Sequence, residues 1–97
     1  MYYMILATDA DGVKEARAAA RPAHLARLTE LDAAGRLLIA GPNPLPDDET
    51  TMSGSLIVAD FDDLDAAQAW AEADPYVDAG VYSEVLIKPF KKVFPNA

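Results

Sequence analysis

Apolar positions along the chain switch between two spacings, and the switches mark the elements. Tyr2 to Thr8 is a compact apolar run with aromatic and β-branched members, ended by Asp9-Ala10-Asp11-Gly12. It reads as a strand with apolar residues on both faces, followed by a turn. Val13 to Ala20 is alanine-rich and fits a short helix. Pro22 disfavours helical backbone at the residue before it and suits a first helical turn, so a second, main helix is predicted from Pro22 to about Ala34, with Gly35 as its stop. Leu25, Leu28 and Leu31 form one stripe of that helix. His24 stands four residues before Leu28 and seven before Leu31, on the edge of the same stripe and facing the sheet.

Arg36 to Ala40 is the second strand, closed by Gly41-Pro42. The stretch Pro42 to Ser53, with prolines at 42, 44 and 46 and then Asp47-Asp48-Glu49-Thr50-Thr51, reads as a long polar loop. A functional loop and a plain surface excursion fit it equally. Gly54 to Phe61 alternates as a third strand, with Ser55, Ile57, Ala59 and Phe61 on one face. Asp62 or Asp63 caps a helix from Leu64 to about Ala73, whose inner stripe is Ala67, Trp70, Ala71 and Asp74. Asp74 thus falls on the buried side at a helix end, where the dipole and desolvation disfavour a carboxylate. Pro75 stops that helix, Tyr76 to Gly80 turns, and Val81 to Lys88 is a fourth strand.

The order is strand, helix, strand, strand, helix, strand. This predicts an α+β, ferredoxin-like βαββαβ fold with a four-stranded antiparallel sheet, one domain over residues 1–97. Two helices cover one face of such a sheet, yet apolar residues occupy both faces of three strands. The uncovered face calls for a partner, most economically a second copy packed face to face.

Composition narrows the function. Sixteen acids against eight bases give a net charge of −8, which argues against nucleic acid as a partner. No apolar run approaches a membrane span, and the opening Met1–Leu6 lacks a basic flank, so a cytoplasmic protein is expected. Cysteine is absent, which removes disulfides, thiolate nucleophiles and thiolate metal sites. One histidine with scattered carboxylates has no metal-ligand spacing, so no metal is expected, and no phosphate loop or dinucleotide fingerprint calls for a cofactor.

His24 is the only histidine, hence the only side chain with an unperturbed pKa near neutrality. A carboxylate on one ring nitrogen fixes the tautomer and raises the basicity of the other, and Asp74 is the candidate. A hydrogen-bonded core histidine and a helix-end aspartate explain the same two residues more simply. A helix start and a helix end also stand at opposite poles of such a fold, so spacing alone does not bring them together. Arg17 and Arg21 could hold an anionic group, Ser55 could donate a hydrogen bond, and the Gly41-Pro42 backbone could approach a ligand.

Taken together, Arg21-Pro22-Ala23-His24-Leu25, Ala40-Gly41-Pro42, Ala69-Trp70, Asp74-Pro75-Tyr76, Gly80-Val81 and Lys88-Pro89-Phe90 resemble the YciI-like family, the YCII-related domain. The resemblance spans nearly the whole chain. It implies a ferredoxin-like fold that dimerises into an α+β barrel, related to muconolactone isomerase. It also implies a catalytic pair in a cleft, the histidine and the aspartate of the Asp-Pro-Tyr motif, which map onto His24 and Asp74. The expectation is a small enzyme doing cofactor-free acid–base chemistry on a small organic acid or lactone. Arg21, Gly41, Pro42, Ser55 and Tyr76 would contact the anionic substrate. The alternative is a non-catalytic module that binds a small ligand.

Overall fold

A computed structural model describes residues 1–96. The elements are β1 (Tyr2–Asp9), α1 (Lys14–Ala33), β2 (Leu37–Leu45), β3 (Asp48–Asp60), α2 (Leu64–Glu72), α3 (Pro75–Asp78) and β4 (Tyr82–Phe90). The strands form one antiparallel sheet in the order β2-β3-β1-β4. This is the α+β, ferredoxin-like arrangement that the strand and helix order predicts, with α3 as an added turn of helix.

One face of the sheet carries the core. Tyr3 and Ile5 of β1 and Ile57 and Ala59 of β3 pack under Leu31 of α1 and Ala67 and Ala71 of α2. Phe61 and Trp70 meet at 5.9 Å between ring centroids, and Arg27 lies over the indole at 4.3 Å, so Trp70 is a core-edge residue as expected. Asp63 caps α2 by accepting the Ala66 N–H. The opposite face bears no helix. Leu6, Ile39, Leu86 and Phe90 are exposed there.

Two local expectations fail. Pro22 does not start a helix; it sits inside α1, which runs unbroken for 20 residues. Proline removes the hydrogen bond to the residue four back, here Ala18. Ala18 and Pro22 are both exposed, so water can take the freed carbonyl, while His24 and Leu31 anchor the helix from its other face. Gly35 does follow the helix in the left-handed region, at φ 71°. The long loop is also absent. Its residues extend β2 to Leu45 and begin β3 at Asp48, leaving a tight turn. β2 is an edge strand, where a missing N–H costs no ladder bond on the outer side, so Pro42 and Pro44 are tolerated. The hairpin tip is fixed by Asp48, which accepts from the Thr50 N–H at 3.0 Å and from the Thr50 and Thr51 hydroxyls at 2.6 and 2.7 Å.

Candidate active site

The unbroken α1 decides the site. Arg17, Arg21, His24, Leu28 and Leu31 recur at four and three residues along it, one stripe facing the sheet. His24 therefore lies mid-helix rather than at a helix start. The expected pole-to-pole separation does not hold either, because β1 ends where β4 begins, Asp9 against Tyr82, so the start of α1 and the end of α2 lie at the same end of the sheet.

Asp74 also differs from the sequence expectation. It does not close α2, which ends at Glu72; it caps α3, with Pro75 at the first helical position. Its Oδ1 accepts the Tyr76 N–H at 2.9 Å. The end of a helix that would repel a carboxylate is replaced by the start of one that accepts it.

His24 and Asp74 touch. The imidazole Nδ1 is 3.0 Å from both carboxylate oxygens, and the two residues are 6% and 2% exposed. An ionised carboxylate only accepts, so Nδ1 donates and the neutral ring keeps its lone pair on Nε2. Among the described residues, Nε2 has no protein partner. Tyr76 lies against the ring, with centroids 4.1 Å apart and planes within 17°.

The ring opens on a cleft of about 220 Å³. Its walls are Arg17, Arg21, His24, Leu25 and Leu28 of α1, Ala40, Gly41 and Pro42 of β2, Ser55 and Ile57 of β3, and Tyr76. The structure thus gathers His24 and each proposed contact, Arg21, Gly41, Pro42, Ser55 and Tyr76, around one space. Asp74 stands behind the imidazole. A larger hollow of about 700 Å³ is framed by the chain ends near Met1, Phe90 and Lys91, remote from this pair.

The two arginines part company. Arg21 is exposed and makes no hydrogen bond or ion pair among the described residues. Arg17 is mostly buried and pairs with Asp9 at 2.9 Å. It also reaches the Gly54 carbonyl at 2.9 Å, Ser55 Oγ at 2.6 Å and the Tyr76 hydroxyl at 3.3 Å. Gly54 lets β1 come close at this point, because a Cβ there would run into the Ala7 carbonyl.

Two residues escaped the sequence reading. Asp9 continues the Tyr3, Ile5, Ala7 alternation, so its inward position could have been read. Tyr82 could not. A bulge pairs Thr8 with Glu84 but Asp9 with Tyr82, which turns Tyr82 to the helix side against the strand's period. Its ring meets Tyr76 edge-on at 5.4 Å, and its hydroxyl is buried without a partner among the described residues. Burial pushes the Tyr82 phenol well above its ordinary range. Burial also raises Tyr76, against the pull of Arg17 and Arg21. Both phenols therefore stay protonated at neutral pH.

A model of the YCII-related domain family matches residues 1–91. The chain belongs to that family. Relatives agree over the full length. An uncharacterised protein of Haemophilus influenzae is 54% identical over 98 residues, covering 97% of this chain and 100% of that protein. The Escherichia coli O6:H1 protein YciI matches with the same identity and coverage. Among solved structures, 5-chloro-2-hydroxyhydroquinone dehydrochlorinase (TftG) of Burkholderia phenoliruptrix AC1100, in complex with 2,5-dihydroxybenzoquinone, superposes with a TM-score of 0.83. It is 26% identical, and the match covers 94% of each chain. Membership and fold thus agree with the resemblance carried by the sequence motifs. Among the described residues no helix is long and apolar enough to cross a membrane.

Proposed function

We propose that this YCII-related chain is a small enzyme in which His24 is the general acid/base and Asp74 orients it. The observation that carries the reading is the buried Nδ1–carboxylate pair at 3.0 Å, which leaves Nε2 to a cleft that the imidazole itself lines. The chemistry that suits such a group is removal of a proton from a carbon next to a carbonyl or lactone. Nε2 takes the proton; the electron pair then expels a leaving group, or is reprotonated at another carbon. Elimination, dehalogenation and isomerisation share that step, and it asks for no cofactor. Arg21, a cation with no ion-pair partner among the described residues, supports an anionic substrate, and the Gly41-Pro42 backbone, Ser55 and Tyr76 complete its surroundings. The cleft volume limits the substrate to a small molecule. The dehydrochlorinase likeness supports the elimination branch.

A panel of small organic acids, lactones and hydroxylated chloroaromatics tests the reading, with product and chloride release measured for wild type and His24→Asn. The amide of asparagine can still donate to Asp74, so folding is retained while the base is lost. Turnover by wild type and a fall of on the order of a hundredfold or more in the variant are expected. Equal turnover in both would overturn it. Arg21 also suits a second reading, a module that holds a small anion without converting it; ligand binding with no product from any panel member favours that.

The bare sheet face fits a second copy of the chain. Its exposed Leu6, Ile39, Leu86 and Phe90 form an apolar surface that would otherwise meet water. Light scattering at micromolar concentration should give twice the chain mass of 10.4 kDa; a single-chain mass removes this assembly.

A further inference from the structure

Arg17 is bound in a way that an anion clamp at a cleft mouth is not. A guanidinium carries five N–H donors in a planar fork. On Arg17, Nε serves Asp9, Nη1 serves the Tyr76 hydroxyl, and Nη2 serves both the Gly54 carbonyl and Ser55 Oγ. Its charge is met by Asp9 in a pair whose side chains are only 11% and 3% exposed. Little of it remains for a ligand.

What it does hold is Tyr76. The Arg17 guanidinium carbon is 4.6 Å from the Tyr76 ring centroid, and its Nη1 bonds the hydroxyl of the same ring at 3.3 Å. That ring stacks on the His24 imidazole. Arg17 and His24 are seven residues apart on α1, about 10 Å along a helix axis. The Tyr76 ring meets both side chains across that interval.

We propose that Arg17 is a positioning residue for His24: it fixes the Tyr76 ring by hydroxyl and face, and the ring fixes the plane of the imidazole. The inference rests on the acid–base reading of His24 and adds to it a residue that never touches substrate. The polar groups of the network that includes the imidazole come from several elements. Arg17 and Arg21 come from α1, Asp9 from β1, Ser55 from β3, Asp74 and Tyr76 from the α3 turn, and Tyr82 from β4. Among the described residues, only Asp74 hydrogen-bonds the ring, and Asp74 sets its Nδ1 edge, not its tilt. Tilt is left to the stacked ring. Lysine cannot replace Arg17, because an ammonium has neither the planar fork nor the stacking face.

Because the chain has one histidine, nuclear magnetic resonance of labelled protein reads this site as a single imidazole spin system. Stacking on Tyr76 displaces the ring-proton resonances from their free-histidine positions. Arg17→Met and Arg17→Lys should move them back toward those positions. Tyr76→Phe, which keeps the ring and removes the hydroxyl that Arg17 holds, should move them the same way by less. Arg27→Met, which unseats an equivalent arginine from Trp70 at 4.3 Å, is the control and should leave them in place. With a substrate that wild type converts, Arg17→Met should lower kcat on the order of a hundredfold with KM held. Unmoved imidazole resonances in the Arg17 and Tyr76 variants overturn the proposal, as does a rise in KM at constant kcat. The resonance test needs no turnover, so it stands or fails separately from the enzymatic reading. If the Arg17 variants do not fold, Tyr76→Phe, which deletes one oxygen, decides it.

Discussion

Asp48 and Asp74 make the same local bond and come to different ends. Each accepts the backbone N–H two residues on, Thr50 at 3.0 Å and Tyr76 at 2.9 Å. Asp48 does so at an exposed hairpin tip, where its other acceptor sites are filled by hydroxyls of its own turn. Those bonds hold its carboxyl down at about 2. Asp74 does so in the interior, where its remaining capacity goes to a ring 50 residues away in sequence. The turn motif is shared. What differs is whether a long helix passes overhead with an imidazole at the right turn. Local sequence sets the aspartate's conformation, and tertiary placement sets its chemistry.

The largest expected effect follows from that placement. Asp74→Ala strips the cap of α3 and leaves the imidazole Nδ1–H and the Tyr76 N–H buried without acceptors. A loss of about 3 kcal/mol in urea unfolding is expected. A loss too small to measure would mean that the pair is not formed in solution. Asp74→Asn keeps an oxygen for the Tyr76 N–H but removes the charge beside the ring. Its expected cost is about 1 kcal/mol in stability, with a larger proportional loss of turnover, because the charge that stabilises the protonated imidazole is gone.

Much of this architecture could be read without coordinates, and the failures have physical causes. The Leu25, Leu28, Leu31 stripe located the inward edge on which His24 sits. The strand alternation from Ser55 to Phe61 located the facing wall. Pro22 misled because propensity describes an isolated helix, whereas this one is held by its buried face and loses its bond toward solvent. Pro42 and Pro44 misled because an edge strand tolerates what a central strand does not. Tyr82 was hidden by a bulge that shifts the register by one residue. The meeting of His24 with Asp74 was beyond spacing arguments altogether. It came from family motifs, and its physical cause is the antiparallel topology, which puts the start of α1 and the end of α2 at the same end of the sheet.

A smaller effect concerns the buried aromatic side of the site. An unfolded tyrosine titrates near 10, while burial holds the Tyr82 phenol above that. Between the two values the unfolded chain has lost a proton that the folded chain keeps, so stability falls as pH rises from about 10. Tyr82→Phe removes this dependence along with an unpartnered buried hydroxyl. Thermal unfolding should show a shallower alkaline decline and no loss at pH 7. A clear loss at pH 7 would mean that the hydroxyl has a partner in solution.

Asp48→Asn should be the mildest change. The Asp48 carboxyl is lowered from 3.8 to about 2, so its contribution is present above about pH 4 and fades as pH falls toward 2. The variant should match wild type at low pH and differ from it slightly near pH 7, with turnover untouched. A turnover defect would place the hairpin tip in the site and undo the contrast with Asp74.

The most direct test is the nitrogen spectrum of the one imidazole. Long-range proton–nitrogen correlation of labelled protein assigns the protonated nitrogen of the neutral ring without a substrate. The expected result is a proton on Nδ1, with the signature of a strong hydrogen bond that Asp74→Ala abolishes, and a bare Nε2. A neutral ring that carries its proton on Nε2, unaffected by Asp74→Ala, would contradict the assignment of His24 as a base aimed at the cleft.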